Sequence, residues 1–149
     1  MSNIQPLLTI NSNLTLPVME SFYTLQGEGL HAGKAAYFIR LGGCDVGCVW
    51  CDVKESWDAS AHPKFSVEAI LEKAIEESGI KKLTPSTLNL KPLVVITGGE
   101  PLLHNLNELT AALQQAGFET NIETSGSSAL SGNWNWICLS PKKFKAPLQ

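Results

Sequence analysis

Residues 92–101 read PLVVITGGEP. The run PLVVIT (92–97) is apolar without alternation, as expected of a strand covered on both faces. It passes directly into two glycines, an acid and a proline, a loop composition. The residues on either side decide what kind of sheet this strand joins. Upstream, SVEAILEKAIEESG (66–79) has helical periodicity: Val67, Ile70, Leu71, Ala74 and Ile75 share a face, Ser66 is a suitable N-cap and Gly79 a suitable stop. Downstream, NLNELTAALQQAG (105–117) is a second helix, with Asn105 and Glu108 as a capping box, Leu106, Leu109 and Leu113 as its stripe and Gly117 as its end. VMESFYT (18–24), AAYFIRL (35–41), FETNIET (118–124) and WNWICLS (134–140) are rich in β-branched and aromatic residues and read as strands.

From residue 35 the order is therefore strand, helix, strand, helix, strand, strand. That alternation predicts a parallel α/β sheet with right-handed crossovers. Four polar or glycine-rich loops then fall beyond the carboxyl ends of strands: the segment after 41, GGEP (98–101), TSGSS (124–128) and SPKK (140–143). Ligand sites of parallel α/β folds lie on that rim. The loop LQGEGLHAGK (25–34), marked by Gly27, Gly29 and Gly33, separates the first two strands.

The chain has 149 residues, 44% of them hydrophobic and 17% charged, with a net charge of −3. One domain is expected, long enough to bury a core. Residues 1–17 are polar and irregular and read as an N-terminal arm; 18–149 read as the core domain. There is no internal repeat. No long basic run offers a footprint for a phosphate backbone, so nucleic acid is not an expected partner. No apolar run is long enough to cross a membrane, and the N-terminus lacks the pattern of a signal peptide. A cytoplasmic location is expected, where clustered cysteines bind metal or react more often than they form disulfides.

The segment CDVGCVWCD (44–52) places Cys44, Cys48 and Cys51 in a C-x3-C-x2-C spacing. A loop containing Asp45, Gly47 and Asp52 is a poor place to bury three small hydrophobes. A structural zinc site wants four closed ligands, usually as two separated pairs; Cys138 lies far away in an apolar strand, and neither His31 nor His62 has zinc-finger spacing to the cluster. Three thiolates suit an iron–sulfur cluster in which one iron keeps an open position. Gly42, Gly43 and Gly47 let a short loop wrap a bulky group.

With Trp50 before the last cysteine and GGEP following the next strand, these residues resemble the signatures of radical S-adenosylmethionine enzymes. FYTLQGEG (22–29), FIRLGGCDVGCVWCD (38–52), ETSG (123–126) and SPK (140–142) together resemble the 7-carboxy-7-deazaguanine synthase family over roughly residues 18 to 145. That resemblance implies a partial TIM-like barrel. It implies a carbon–nitrogen lyase that contracts the ring of 6-carboxy-5,6,7,8-tetrahydropterin to 7-carboxy-7-deazaguanine with loss of ammonia, in queuosine and 7-deazapurine biosynthesis. A 4Fe-4S cluster on Cys44, Cys48 and Cys51, S-adenosylmethionine and Mg2+ are its implied cofactors. Trp50, Cys51, Asp52, Gly98, Gly99, Glu100, Ser140, Pro141 and Lys142 would contact S-adenosylmethionine. Leu25, Gln26, Gly27, Arg40 and Thr97 would contact the pterin. A reductant such as flavodoxin or ferredoxin and a homodimer are implied in the same way.

Some of these residues also have plainer readings. Gln26 carries both donor and acceptor, and without the motif it is a loop glutamine. Arg40 interrupts an apolar strand on the face of Ala36 and Phe38; buried there it needs an anion, and a substrate carboxylate is a bidentate partner for it, while its plainer reading is an edge-facing arginine in water. Thr97 is otherwise an unexceptional strand threonine. Glu100 reads either as a ligand contact or as a capping acid. A glycyl-radical activating enzyme shares the cysteine spacing, and a zinc-binding interaction module is the alternative outside catalysis.

The chain departs from the family pattern in two places. Members commonly place Ser or Thr two residues after the last motif cysteine, where a hydroxyl meets Mg2+. Val53 occupies that position, and a valine side chain offers a hard cation no oxygen. Weakened or relocated magnesium dependence is expected, with Lys54 placed to supply part of the charge. The chain also stops soon after SPK, which reads as truncation at the C-terminus that leaves the pterin half of the site incomplete.

Overall fold

The structure, a computed structural model, describes residues 13–79 and 91–142. Most of the expected arm (1–12) and the last residues (143–149) lie outside the described residues. The elements are β1 (Thr15–Leu25), β2 (Ala35–Leu41), β3 (Lys64–Ser66), α1 (Val67–Ser78), β4 (Leu93–Gly98), α2 (Asn107–Gln115), β5 (Glu119–Thr124) and β6 (Trp136–Leu139). They form one six-stranded mixed sheet in the order β3-β1-β2-β4-β5-β6. From β2 onward every pairing is parallel, as the alternation of strands and helices requires. β1 runs antiparallel to β2, with an irregularity between Val18 and Glu20. It starts at Thr15, three residues earlier than the sequence reading, because Thr15 to Pro17 pair with the short β3.

Side-chain alternation divides the sheet into two faces. Tyr37, Ile39, Leu41, Val94, Ile96 and Ile122 share one buried cluster with Val67, Ile70, Leu71 and Ala74 of α1 and Leu109, Ala112 and Leu113 of α2. Both helices therefore cover the same face. The other face begins apolar, with Ala36, Phe38, Leu93 and Val95 packed against Phe22. Toward the carboxyl ends of the strands it turns polar at Arg40, Thr97 and Glu123. With both helices on one face and the other face left open, the sheet forms an open segment of a TIM-like barrel.

Helix boundaries follow local chemistry. Ser66 Oγ accepts from Ala69 N–H at 3.2 Å and caps α1; Gly79 ends it. The expected capping box on α2 does not form. Asn105 Oδ1 accepts from Asn107 N–H at 3.0 Å, Leu106 takes the cap position without a side-chain bond, and Leu106 N–H donates to Ser131 Oγ at 3.1 Å. The 131–133 loop thus sets where this helix begins. Its end is a Schellman motif: Phe118 N–H reaches Leu113 O and Gly117 N–H reaches Gln114 O, each at 3.0 Å. Cys138 is half-buried, not buried as its apolar strand implied, because β6 forms an edge of the sheet.

Candidate active site

A cavity of about 650 Å³ opens on the concave face at the carboxyl ends of the parallel strands. Cys44, Cys48, Trp50, Cys51, Asp52 and Val53 line it from the loop after β2, Thr97 to Glu100 from β4, and Ser140 and Lys142 from the segment after β6. Gln26 and Gly27 reach it from the loop between β1 and β2, and Arg40 from β2. Of the residues expected from the sequence, Leu25 and Pro141 do not line it. Leu25 is 63% exposed.

The cysteine loop is closed by its own backbone. Gly43 N–H donates to Ser56 O at 2.6 Å, Cys44 N–H to Trp57 O at 3.1 Å and Cys51 N–H to Cys48 O at 3.0 Å. All four cysteines of the described chain are free thiols. Burial pushes the Cys44 thiol up, an effect partly offset by the amides of Val46 and Gly47. A thiolate there needs a further positive charge, which a bound iron supplies. Among the described residues no three His, Cys, Asp or Glu side chains converge on a single ion. Cys44, Cys48 and Cys51 line the same cavity, and three thiolates are a donor set for a cluster in which each binds its own iron. His62, one possible fourth zinc ligand, is held elsewhere: its Nε2 lies 2.8 Å from Glu55 O.

The GGEP loop is locked against the cysteine loop at van der Waals distance. Gly99 N–H donates to Leu41 O at 3.1 Å and Glu100 N–H to Gly43 O at 2.8 Å. A Cβ on Gly98, whose φ is +138°, would stand 2.1 Å from Leu41 O; one on Gly99 would stand 2.3 Å from Gly43 O. Only glycine fits at either position. Glu100 is 1% exposed and its carboxylate is fully engaged. Oε1 accepts from Leu102 N–H at 3.1 Å and Thr124 Oγ1 at 2.5 Å; Oε2 accepts from Ser125 N–H at 2.9 Å and from the Ser125 hydroxyl. It caps the turn that follows and ties the GGEP loop to the TSG loop.

A second polar group sits beside these loops. Gln26 Nε2 donates to Glu123 Oε1 at 2.9 Å and Thr97 Oγ1 to Glu123 Oε2 at 3.0 Å. Sequence reasoning placed Gln26 and Thr97 in the site but gave Glu123 no role. The signal was available, since Glu123 is the last inward-facing position of β5 and adjoins the TSG loop. Arg40 does not wait for a substrate anion to be paired. Its Nε–H donates to Glu20 Oε1 at 2.8 Å, the residue directly across the β1–β2 ladder. The Arg40 side chain is 22% exposed, so the chain itself supplies the anion that its burial requires. Lys54 does not line the cavity; its Nζ stands 5.9 Å from the centre of the Trp57 ring.

Residues 25–130 match the family model described as a 4Fe-4S single cluster domain. The chain belongs to that family. Its sequence is 47% identical over 141 residues, 95% of the chain, to a 7-carboxy-7-deazaguanine synthase of Flavobacterium psychrophilum. It is 45% identical over 99% of the chain to the enzyme of the same name from Synechocystis. The crystal structure of QueE from Escherichia coli superposes with a TM-score of 0.71 at 37% identity, over 88% of this chain and 61% of that one. The chain spans 61% and 63% of the length of the first two relatives.

Proposed function

We propose that this chain carries the cofactor-binding side, and part of the substrate-binding side, of a 7-carboxy-7-deazaguanine synthase. The observation that supports it most is the convergence of three thiols, the GGEP loop and the Gln26–Thr97–Glu123 group on one cavity. In this reading the enzyme is a carbon–nitrogen lyase that converts 6-carboxy-5,6,7,8-tetrahydropterin to 7-carboxy-7-deazaguanine and ammonia. When bound, the cluster and S-adenosylmethionine supply the radical chemistry that the protein's side chains cannot.

Cys44, Cys48 and Cys51 would hold the cluster. The backbone at Gly98 and Gly99, the segment Trp50–Asp52, and Ser140 with Lys142 would hold S-adenosylmethionine. The Lys142 ammonium donates to Ser140 Oγ at 2.8 Å, which brings a cation to the cavity rim. Glu123 and Gln26 present acceptors and a donor side by side on the cavity, the kind of groups that the fused-ring edge of a pterin would meet. Arg40 stands near enough to the inner wall to meet a carboxylate with the guanidinium nitrogens that Glu20 leaves free. Phe22 and Phe38, whose rings stack 5.6 Å apart, also line the cavity and would help to keep water from a bound substrate. A flavodoxin- or ferredoxin-type reductant, a homodimer and a cytoplasmic location belong to the same proposal. Among the described residues no helix is long and apolar enough to cross a membrane.

The reading is tested by anaerobic incubation of the reconstituted protein, in this chain and in one extended to the relatives' length, with carboxytetrahydropterin, S-adenosylmethionine and dithionite. Deazaguanine product by mass spectrometry is the expected result. Its absence from both chains, or a glycyl radical formed on a protein substrate, overturns the reading.

Magnesium fits this site poorly. The Val53 side chain has no oxygen, and its carbonyl already accepts from Ser56 N–H at 3.0 Å and Ser56 Oγ at 2.7 Å. Turnover should therefore change less than about twofold between chelator and millimolar Mg2+, because no oxygen ligand is offered at residue 53. Val53→Thr should introduce a magnesium stimulation, read as a rise in initial rate on titration. Strong stimulation of the unmodified protein would contradict this account.

A further inference from the structure

The loop between β1 and β2 is pinned to the inner face of the sheet. Its backbone closes on itself: Gln26 N–H donates to Lys34 O and Gly33 N–H to Gln26 O, each at 2.8 Å. Its far end meets β6, where His31 and Trp136 pack edge to face with ring centres 5.8 Å apart. Between loop and sheet lies a second, small recess of about 10 Å³, lined among others by His31, Asn121, Trp136 and Cys138. Two polar atoms of these residues are buried and have no hydrogen-bond partner among the described residues: His31 Nδ1 and Asn121 Oδ1. Asn121 is only 4% exposed. Leaving such a group unsatisfied costs about 1–3 kcal/mol. A recess of this size, walled in part by Leu30, Val95 and Ile122 but carrying these two polar atoms, has room for one water and nothing larger.

We propose that this recess binds a single buried water that bridges His31 Nδ1 and Asn121 Oδ1, and that the bridge positions the Gln26 loop. The water donates to the asparagine oxygen. With the imidazole it donates to a bare Nδ1 or accepts from Nδ1–H, according to the tautomer. Asn121 and Glu123 face the same side of β5, two residues apart. The loop is thus fastened to one strand at two points, by Gln26 on Glu123 and by His31 through water on Asn121. Neither His31 nor Asn121 lines the main cavity, so both act through Gln26 as positioning residues.

Amide hydrogen exchange of residues 29–34 tests the bridge. His31→Phe keeps the ring contact with Trp136 and removes the nitrogen; Asn121→Leu removes the oxygen. Each should speed exchange in the loop about tenfold, as loss of a local anchor does, and leave α2 unchanged. The double variant should add little to either single change, because both remove one bridge. Asn121→Asp, which keeps an acceptor, should restore protection in part. A crystal structure should show a water within about 3.2 Å of both atoms. Unchanged exchange in His31→Phe, additive effects in the double variant, or a direct His31–Asn121 hydrogen bond with no water between them would overturn the proposal. If Asn121→Leu fails to fold, His31→Phe alone decides. The consequence for substrate rests on the pterin reading of this loop. Binding of carboxytetrahydropterin should weaken severalfold in His31→Phe while S-adenosylmethionine binding does not change. Altered exchange in a protein that binds no pterin would defeat that reading and leave the water in place.

Discussion

Glu100→Ala should lower the stability of the chain by about 4 kcal/mol, within the range found when one partner of a buried charged network is removed. The carboxylate accepts from Leu102, Thr124 and Ser125 at 1% exposure. Its removal leaves the Leu102 and Ser125 amides without these acceptors, strips the Thr124 and Ser125 hydroxyls of their charged partner while their bonds to Gly126 N–H and Ser127 Oγ remain, and opens a cavity where the side chain stood. In a domain of this size the melting temperature should fall by roughly 10 °C, read by calorimetry or circular dichroism. If the proposed reading of the site holds, S-adenosylmethionine binding falls with it, because the GGEP and TSG loops lose their common tie. Glu100→Gln keeps the shape and the contacts of one oxygen but turns an NH2 toward the donors of the other, so its loss should be about half as large. Equal stability of Glu100→Ala and the unmodified chain would show that the two loops are held by something else.

Gly98→Ala should be comparably severe for a different reason. The backbone at this residue has φ +138°, and the added Cβ would stand 2.1 Å from Leu41 O and 2.6 Å from Leu41 N. Neither atom belongs to a flexible side chain, so β4 must move away from β2 at the point where both strands deliver their loops to the cavity. Overpacking of 1–3 kcal/mol and left-handed strain of about 1–2 kcal/mol together predict a loss of about 3 kcal/mol. The functional loss should exceed the stability loss, since a 1 Å displacement of a positioned group can cost about a hundredfold in rate. A melting curve taken together with an S-adenosylmethionine binding isotherm separates the two effects.

The sequence revealed the fold where periodicity and punctuation agreed. PLVVIT, the two amphipathic helices and their glycine stops required only local chemistry, and the structure places each within two residues of the expected boundaries. The rim of loops was legible for the same reason, because a parallel sheet sends its strand ends to one side. What the sequence did not show depended on register or on distant contacts. The partner of Arg40 is fixed by the β1–β2 ladder and its irregularity near Val18, which no local pattern announces. The entry of α2 is set by Ser131, 25 residues away, so the capping box read at Asn105 does not form. Glu123 is the meeting point of Gln26 and Thr97, residues 97 and 26 positions away from it; only the folded sheet brings them together. At Val53 the sequence showed a missing hydroxyl, and the structure adds that the carbonyl is occupied by Ser56 as well.

The central claim is that three thiols on this cavity wall hold an iron–sulfur cluster with one iron left open. Anaerobic reconstitution with iron and sulfide, followed by absorption spectroscopy and metal analysis, tests it most directly. The account predicts a brown protein with about four irons and four sulfides per chain, as a single 4Fe-4S cluster requires, and loss of that colour in Cys44→Ala, Cys48→Ala and Cys51→Ala. A colourless protein that takes up one zinc instead, or a brown one whose colour survives all three substitutions, would contradict it.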